Sequence, residues 1–117
     1  MDISFLSNKF RKECNDYRLL VGAFGERQAK VIRRRLDELH AATTLAEVST
    51  LPPARCHELV GDRAGQLSVD LVFPYRLVFL PANDPIPTRP DGGLDWARVT
   101  AIRITGVEDT HDKKNRR

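Results

Sequence analysis

Three arginines and one histidine have the types and positions needed to bind and act on a phosphate. Arg76 lies in an alternating apolar and polar run, Arg63 in a turn before it, and Arg103 in a second alternating run. An arginine on a rigid strand is a good phosphate ligand because its planar guanidinium presents several donors. Histidine titrates near neutral pH, so His111, just past the last run, can serve as a base or an acid. These residues predict a concave, basic, solvent-facing surface.

The strands that position Arg76 and Arg63 are predicted within the stretch from His57 to Phe79. Both ends of this stretch alternate apolar with polar residues, which is the period of a half-buried strand. Its middle, residues 61–65, has the composition Gly-Asp-Arg-Ala-Gly, and Phe73-Pro74 provides a second break. The stretch therefore predicts three short antiparallel strands joined by tight turns.

Arg76 is expected to face away from the hydrophobic core. Leu77 and Phe79 share one face of the last of these strands, and Arg76 lies on the other face, because neighbouring side chains oppose each other across a strand. An outward arginine with no obvious local carboxylate needs another partner. Arg76 is therefore the strongest candidate for a phosphate ligand.

The rest of the chain predicts helices before these strands and one strand after them. Helices on one face of an antiparallel sheet make an α+β domain. We expect a single domain over residues 1–117, with an N-terminal strand and helices on one face of a small, curved, mainly antiparallel sheet. The expected elements are a strand over Asp2–Leu6, a helix from Ser7-Asn8 to Tyr17, an apolar bend over Leu19–Gly25, a helix over Glu26–Ala42, a capped turn after Thr43-Thr44, an irregular connection over Pro81–Trp96 that returns with Trp96 packed on the sheet, and a strand over Val99–Val107.

The helix predicted over Glu26–Ala42 is rich in basic residues. Its apolar stripe is formed by Ala29, Ile32, Leu36 and Leu39, whose spacings of three and four match a helix. The remaining surface admits three interpretations, which are a solvated face, a nucleic-acid surface and a docking face for an acidic partner helix. The basic residues are Arg27, Lys30, Arg33, Arg34 and Arg35.

Composition indicates an ordinary globular domain. The 117 residues are 41% hydrophobic and 30% charged, with a net charge of +3 that permits a polyanionic partner without requiring one. The chain opens without a signal peptide and has no run long enough to span a membrane. We therefore expect a cytoplasmic protein in which Cys14 and Cys56 are reduced, small buried hydrophobes.

Several short motifs match the pattern of a known family. The strand region reads His57-x-Leu59-x-Gly61-Asp62-Arg63-x-Gly65-x-x-Ser68-Val69, followed by Tyr75-Arg76-Leu77-Val78-Phe79. The end of the last predicted strand and the residues after it read Val107-Glu108-Asp109-Thr110-His111. The predicted long helix contains Ala29-Lys30 and Arg35-Leu36-x-x-Leu39. Together these residues resemble the RelE/ParE toxin superfamily, most closely its HigB-like branch.

The resemblance implies a toxin of a bacterial toxin–antitoxin pair that cuts mRNA on the ribosome without a metal or other cofactor. The implied partners are mRNA on the ribosome and a cognate antitoxin, a helix-turn-helix protein. Arg76 matches the arginine that holds the scissile phosphate, and Asp109 and His111 match the ends of the terminal signature, with His111 in the acid/base position. We assign catalysis to Arg63, Arg76, Asp109 and His111, and RNA binding to His57, Arg103, Lys113 and Lys114.

Two residues depart from the family pattern. Val60 stands where a lysine is frequent, and Thr110 stands where tyrosine is usual, so one cation and one stacking or acid/base group are missing. Arg63 is expected to supply the missing charge. The alternatives are a ParE-like toxin that inhibits a protein such as DNA gyrase, a catalytically weakened toxin, and a DNA-binding antitoxin or repressor. The absence of a helix-turn-helix pattern argues against the last of these.

Overall fold

The computed structural model describes residues 1–110 and contains a five-stranded sheet with four α-helices. His111, Lys113 and Lys114 therefore lie outside the described residues. In chain order the elements are β1 (Asp2–Phe5), α1 (Asn8–Cys14), α2 (Tyr17–Phe24), α3 (Glu26–Ala41), α4 (Leu45–Val48), a 3₁₀ turn (Pro52–Ala54), β2 (His57–Glu58), a 3₁₀ turn (Gly61–Arg63), β3 (Leu67–Asp70), β4 (Arg76–Pro81), a 3₁₀ turn (Trp96–Arg98) and β5 (Ala101–Glu108).

The sheet has the strand order β1-β5-β4-β3-β2. Strands β2 to β5 pair antiparallel, whereas β1 pairs parallel with β5, in the register Asp2 opposite Ala101. Between Val78 and Phe79 the register skips Thr105, so β5 carries a β-bulge against β4, and the Thr105 hydroxyl donates to the Val78 carbonyl at 3.0 Å. A bulge bends the strand that carries it. The expected α+β class with a mainly antiparallel sheet is confirmed.

Side-chain caps define where α1 and α2 begin. The Ser7 hydroxyl accepts from the Phe10 amide at 3.1 Å, and the Asp16 carboxylate accepts from the Arg18 amide at 3.1 Å. These caps satisfy amides that have no partner within the helix. The expectation of an apolar bend over Leu19–Gly25 is wrong, because the Asp16 cap starts a helix that runs to Phe24. Gly25, with φ of 83°, then separates α2 from α3.

Gly22 lies inside α2 in open space. A β-carbon added there would meet no heavy atom within 4 Å, and the residue has no positive φ that would require glycine. Gly22→Ala is therefore expected to raise the free energy of unfolding by about 0.5–1 kcal/mol, because alanine loses less backbone entropy in a helix. Urea denaturation of the two proteins measures this difference. A decrease in stability would contradict the open surroundings of Gly22.

The hydrophobic core lies between the sheet and the helices. Leu77 and Phe79 of β4 and Ile102 and Ile104 of β5 are buried, as their alternation predicts. Helix α3 buries Ala29, Ile32 and Leu39 against them, and Trp96 packs at the margin of the same cluster. The Trp96 indole donates to Glu58 Oε2 at 2.8 Å, which satisfies its only polar group. The packing role expected for Trp96 is confirmed.

Arg35 departs from the charged surface expected for α3. The side chain is buried and bridges three elements. Its Nε donates to the Asp70 carbonyl at 2.6 Å and one Nη to the Pro53 carbonyl at 2.9 Å, while the other Nη pairs with Glu38 at 3.2 Å. Arg27, Lys30, Arg33 and Arg34 remain exposed. Arg35 therefore joins α3 to the end of β3 and to the 3₁₀ turn before β2.

The connection between β4 and β5 is tied to the sheet by side chains. The side-chain Oδ1 of Asn83 accepts hydrogen bonds from the backbone amides of Thr100 and Ala101 at 3.0 and 3.1 Å. At its tip the Gly93 amide donates to Asp91 at 2.8 Å, and this bond and the neighbouring Arg89 hold the pKa of the Asp91 carboxyl below its usual value. These contacts give residues 82–95 a fixed path.

Both cysteines behave as small apolar side chains. Cys14 and Cys56 carry free thiols and pack against the core at partly buried positions. Burial, with a smaller effect of a neighbouring glutamate, raises the pKa of each thiol to about 12. The thiols are therefore neutral at physiological pH and are poor nucleophiles. Among residues 1–110, no helix combines the length and apolar character needed to cross a bilayer.

Candidate functional site

The face of the sheet opposite the buried Leu77 and Phe79 carries a polar cluster at one end. Arg76, at the start of β4, lies opposite Asp70 of β3 and opposite Glu108 of β5. His57 of β2 lies opposite Ser68 of β3, one strand further along. We call these five residues, together with Arg55 and Arg63, which contact them, the basic cluster.

Arg76 is buried, with only 7% of its surface exposed, and is held by side chains of the neighbouring strands. Its Nε lies 3.6 Å from Asp70 Oδ1, and its Nη1 lies 3.4 Å from Ser68 Oγ. Arg76 does occupy the face opposite Leu77 and Phe79. The expectation that it is solvent-facing and lacks a local carboxylate is wrong, because the register of β3 and β4 places Asp70 directly across from it.

His57 contacts Arg76 with a defined tautomer. Its Nε2 lies 2.5 Å from Arg76 Nη1, and its Nδ1 lies 3.0 Å from the Arg55 carbonyl. A guanidinium can only donate, and a carbonyl can only accept. The ring proton is therefore assigned to Nδ1, and Nε2 presents its lone pair to Arg76. With this assignment the lone pair of His57 Nε2 is directed at a cation.

Arg55 is a member of the cluster that sequence reasoning missed. Its Nε lies 3.3 Å from Asp70 Oδ2, so that Asp70 contacts two guanidinium groups. Its backbone is left-handed, with φ of 45° and ψ of 54°, at the end of the 3₁₀ turn Pro52–Ala54. This conformation directs its carbonyl to His57. A residue with a β-carbon is strained there, and no local pattern in the sequence predicted it.

The strain at Arg55 can be measured with a pair of variants. Arg55→Ala and Arg55→Gly both remove the ion pair with Asp70, but only glycine adopts the left-handed backbone without cost. The glycine variant is therefore expected to be more stable than the alanine variant by about 1 kcal/mol. Chemical denaturation of both variants measures this difference. Equal stability would mean that residue 55 is not held in the left-handed region.

Arg63 reaches the same end of the sheet from the loop between β2 and β3. It ends the 3₁₀ turn Gly61–Arg63, and its Nη2 donates to Glu108 Oε1 at 2.6 Å. Glu108 lies opposite Arg76 in the sheet, so this ion pair anchors Arg63 at the end of the sheet that carries Arg76. Val60, in the same loop, is 79% exposed and supplies no charge. Sequence reasoning assigned no role to Glu108.

The other residues assigned to the site from the sequence differ in their distance from the basic cluster. Arg103 is exposed on the same face, but it lies opposite Leu80, four residues along β4 from Arg76. Four residues of strand separate two positions by roughly 13 Å, so Arg103 is not part of the basic cluster. Asp109 and Thr110 are half-buried and directly follow Glu108. The chain therefore leaves the sheet towards His111 at the end where Arg63 and Arg76 lie.

The positive and negative charges of the basic cluster nearly cancel. Three guanidinium groups face two carboxylates, those of Asp70 and Glu108, and one imidazole. An anionic ligand gains charge-assisted hydrogen bonds from these donors, but it must compete with the internal carboxylates. Within residues 1–110, the His, Cys, Asp and Glu side chains form no group of three suited to hold a metal ion.

No protein-family model matches the chain, and no curated protein matches it.

Proposed function

We propose that the protein is the toxin of a toxin–antitoxin pair and cleaves mRNA on the ribosome by attack of the 2′-hydroxyl on the neighbouring phosphate. One observation carries the proposal. His57 Nε2 lies 2.5 Å from Arg76 Nη1, at the end of the sheet where Arg63 is anchored and from which the chain continues to His111. An imidazole and one guanidinium group are thus in contact, and a second guanidinium group is anchored on Glu108, the residue that pairs with Arg76 in the sheet.

Such cleavage needs three kinds of group. A base removes the proton of the 2′-hydroxyl, cations stabilise the charge that grows on the phosphoryl oxygens, and an acid protonates the leaving 5′-oxygen. Arg76 and Arg63 are the cations in this proposal. The unprotonated Nε2 of His57 is a suitable acceptor for the hydroxyl proton once a phosphate draws Arg76 Nη1 away from it. His111 is then the acid, and Asp109 orients it.

The ion pairs of the cluster have two consequences for this chemistry. Asp70 and Glu108 hold the guanidinium groups in place before a ligand arrives, which lowers the cost of ordering them. They also neutralise those groups, so a free phosphate binds weakly. Additional contacts are needed for binding. We assign contacts with the RNA to Arg103, Lys113 and Lys114, and further contacts to the ribosome. A cognate antitoxin in the bacterial cytoplasm would block the same surface.

Transcript mapping in bacteria that express the protein tests this function. New, codon-phased 5′ ends on ribosome-bound transcripts are expected. They should disappear in His57→Ala and in His111→Ala, because each variant removes one proton-transfer group. His40→Ala is the matched control, since His40 is exposed at the end of α3 and lies outside the cluster. Growth arrest without new 5′ ends, or new ends that persist in both variants, would refute the nuclease.

A second candidate function follows from the balanced charges. Arg76 and Arg63 are both paired with carboxylates, and Thr110 replaces the tyrosine of the family pattern. These features favour a toxin that inhibits a protein such as DNA gyrase. Growth arrest with intact transcripts and an induced DNA-damage response would support this function over the nuclease. Normal growth and intact transcripts would indicate a weakened toxin.

A further inference from the structure

A groove with an apolar floor lies between α1 and α2 on their exposed sides. We call its apolar lining residues, Leu19, Gly22 and Ala23 of α2, the floor, and its charged lining residues the rim, which are Lys9, Lys12 and Glu13 of α1 and Arg18 of α2. The groove has a volume of about 500 Å³. Leu19 is 51% exposed although it belongs to an otherwise well-packed helix pair. The groove is separate from the basic cluster on the sheet.

The opposite sides of the same helices are held rigidly. Phe10 of α1 makes edge-to-face contacts with Phe5 of β1 and Phe24 of α2, at centroid distances of 5.9 and 5.8 Å. Such contacts fix the orientation of the helices in addition to burying area. The relative position of the two helices is therefore set before a ligand binds, and only the exposed rim side chains remain to be ordered.

Gly22 lines the groove at a position where neither the backbone conformation nor the packing requires glycine. Its surroundings are open, and glycine inside a helix is less stable than alanine. Within the described chain, no neighbouring atom requires glycine at this position, although glycine lowers the stability of the helix. The close approach of another molecule to the backbone would explain its presence. Leu19, one turn before Gly22, would then become buried.

The charge of the rim selects the kind of molecule. Three cations face one carboxylate, Glu13, around the groove. A second copy of this chain that docked through the same groove would bring the same cations and would be repelled. An RNA strand has no need of an apolar floor at Leu19 and Ala23. An acidic helix with one apolar stripe satisfies both the floor and the rim.

We propose that the groove between α1 and α2 is the docking site for an acidic amphipathic helix of a partner protein. The partner's apolar stripe packs on Leu19, Gly22 and Ala23. Its carboxylates lie against Lys9, Lys12 and Arg18. The proposal does not depend on the nuclease activity.

Peptide binding to the full chain tests the proposal. The probe is a designed helical peptide with a leucine stripe flanked by glutamates, and the controls carry lysines in place of the glutamates or have a scrambled order. Fluorescence anisotropy is expected to detect binding of the glutamate peptide only, weakening as salt rises. Gly22→Leu should weaken this binding by about tenfold or more, because its side chain fills the groove. Arg18→Glu should also weaken it.

The controls separate loss of the groove from loss of the fold. Gly22→Leu should melt at or above the temperature of the unaltered protein, since leucine is a better helix former than glycine. His40→Ala, away from the groove, should bind the peptide normally. Equal binding of the scrambled peptide, unchanged binding to Gly22→Leu, or a Gly22-dependent preference for single-stranded RNA or anionic vesicles would overturn the proposal.

Discussion

Arg35→Ala is expected to lower the free energy of unfolding by about 3 kcal/mol, which is the typical cost of removing charged hydrogen bonds from buried partners. The guanidinium joins α3 to the carbonyls of Asp70 and Pro53, at 2.6 and 2.9 Å, and only 6% of the residue is exposed. Alanine would leave both carbonyls without this donor and would leave a cavity between the helix and the sheet. Urea denaturation monitored by far-ultraviolet circular dichroism measures the loss.

The neighbouring arginine provides the control. Arg34→Ala removes the same side chain from an exposed position of the same helix, so its effect should stay within about 0.5 kcal/mol. Arg35→Lys keeps the charge but cannot reach two carbonyls with one planar group, and it should recover only part of the stability. Similar losses for Arg34→Ala and Arg35→Ala would show that residue 35 does not hold the helix to the sheet.

Arg76→Ala is expected to lower the free energy of unfolding by about 2–3 kcal/mol, slightly less than the usual cost of breaking a fully buried ion pair. The change removes the partner of Asp70 and the donor to His57 Nε2, in a region where Arg76 is 9% exposed at its side chain and Asp70 is 24% exposed. Arg55 remains beside Asp70 and compensates in part. Chemical denaturation of the variant measures the loss.

A double-mutant cycle separates the ion pair from the rest of the cluster. In an Asp70→Ala background, Arg76→Ala should cost clearly less than in the original protein, since the carboxylate is no longer left behind. Arg103→Ala, on the same face but exposed, should change stability by less than about 0.5 kcal/mol. Additive effects at residues 70 and 76 would contradict a direct pair between them.

The strands and the long helix were predictable because their signals are local. The alternation of Leu77 and Phe79 with Arg76 needs only the two-residue period of a strand, and the stripe of α3 needs only the helical period. Helix α2 was missed because Gly22 and Gly25 give its apolar run the composition of a bend, while its start depends on the Asp16 cap. Asp16 is the local signal in the sequence that predicts the start of this helix.

The partners of the arginines were not predictable because they are distant in sequence. Arg35 and the Asp70 carbonyl are 35 residues apart, and Arg63 and Glu108 are 45 residues apart. These contacts depend on strand register and on where α3 crosses the sheet, and neither quantity is encoded in a local pattern. Residue type alone cannot separate a cation that awaits an anionic ligand from one that is already neutralised. Arg55 adds a backbone conformation that no propensity favours.

The parallel pairing of β1 with β5 imposes an order on how the domain is assembled during translation. Asp2 and Ala101 meet in the register, so the first strand emerges from the ribosome long before its neighbour has been synthesised. The α1–α3 segment has mainly short-range contacts and can form early, whereas the sheet edge must wait. A nascent chain halted before residue 101 would therefore carry a β1 with both edges unpaired, and the arrival of β5 would cover one of them.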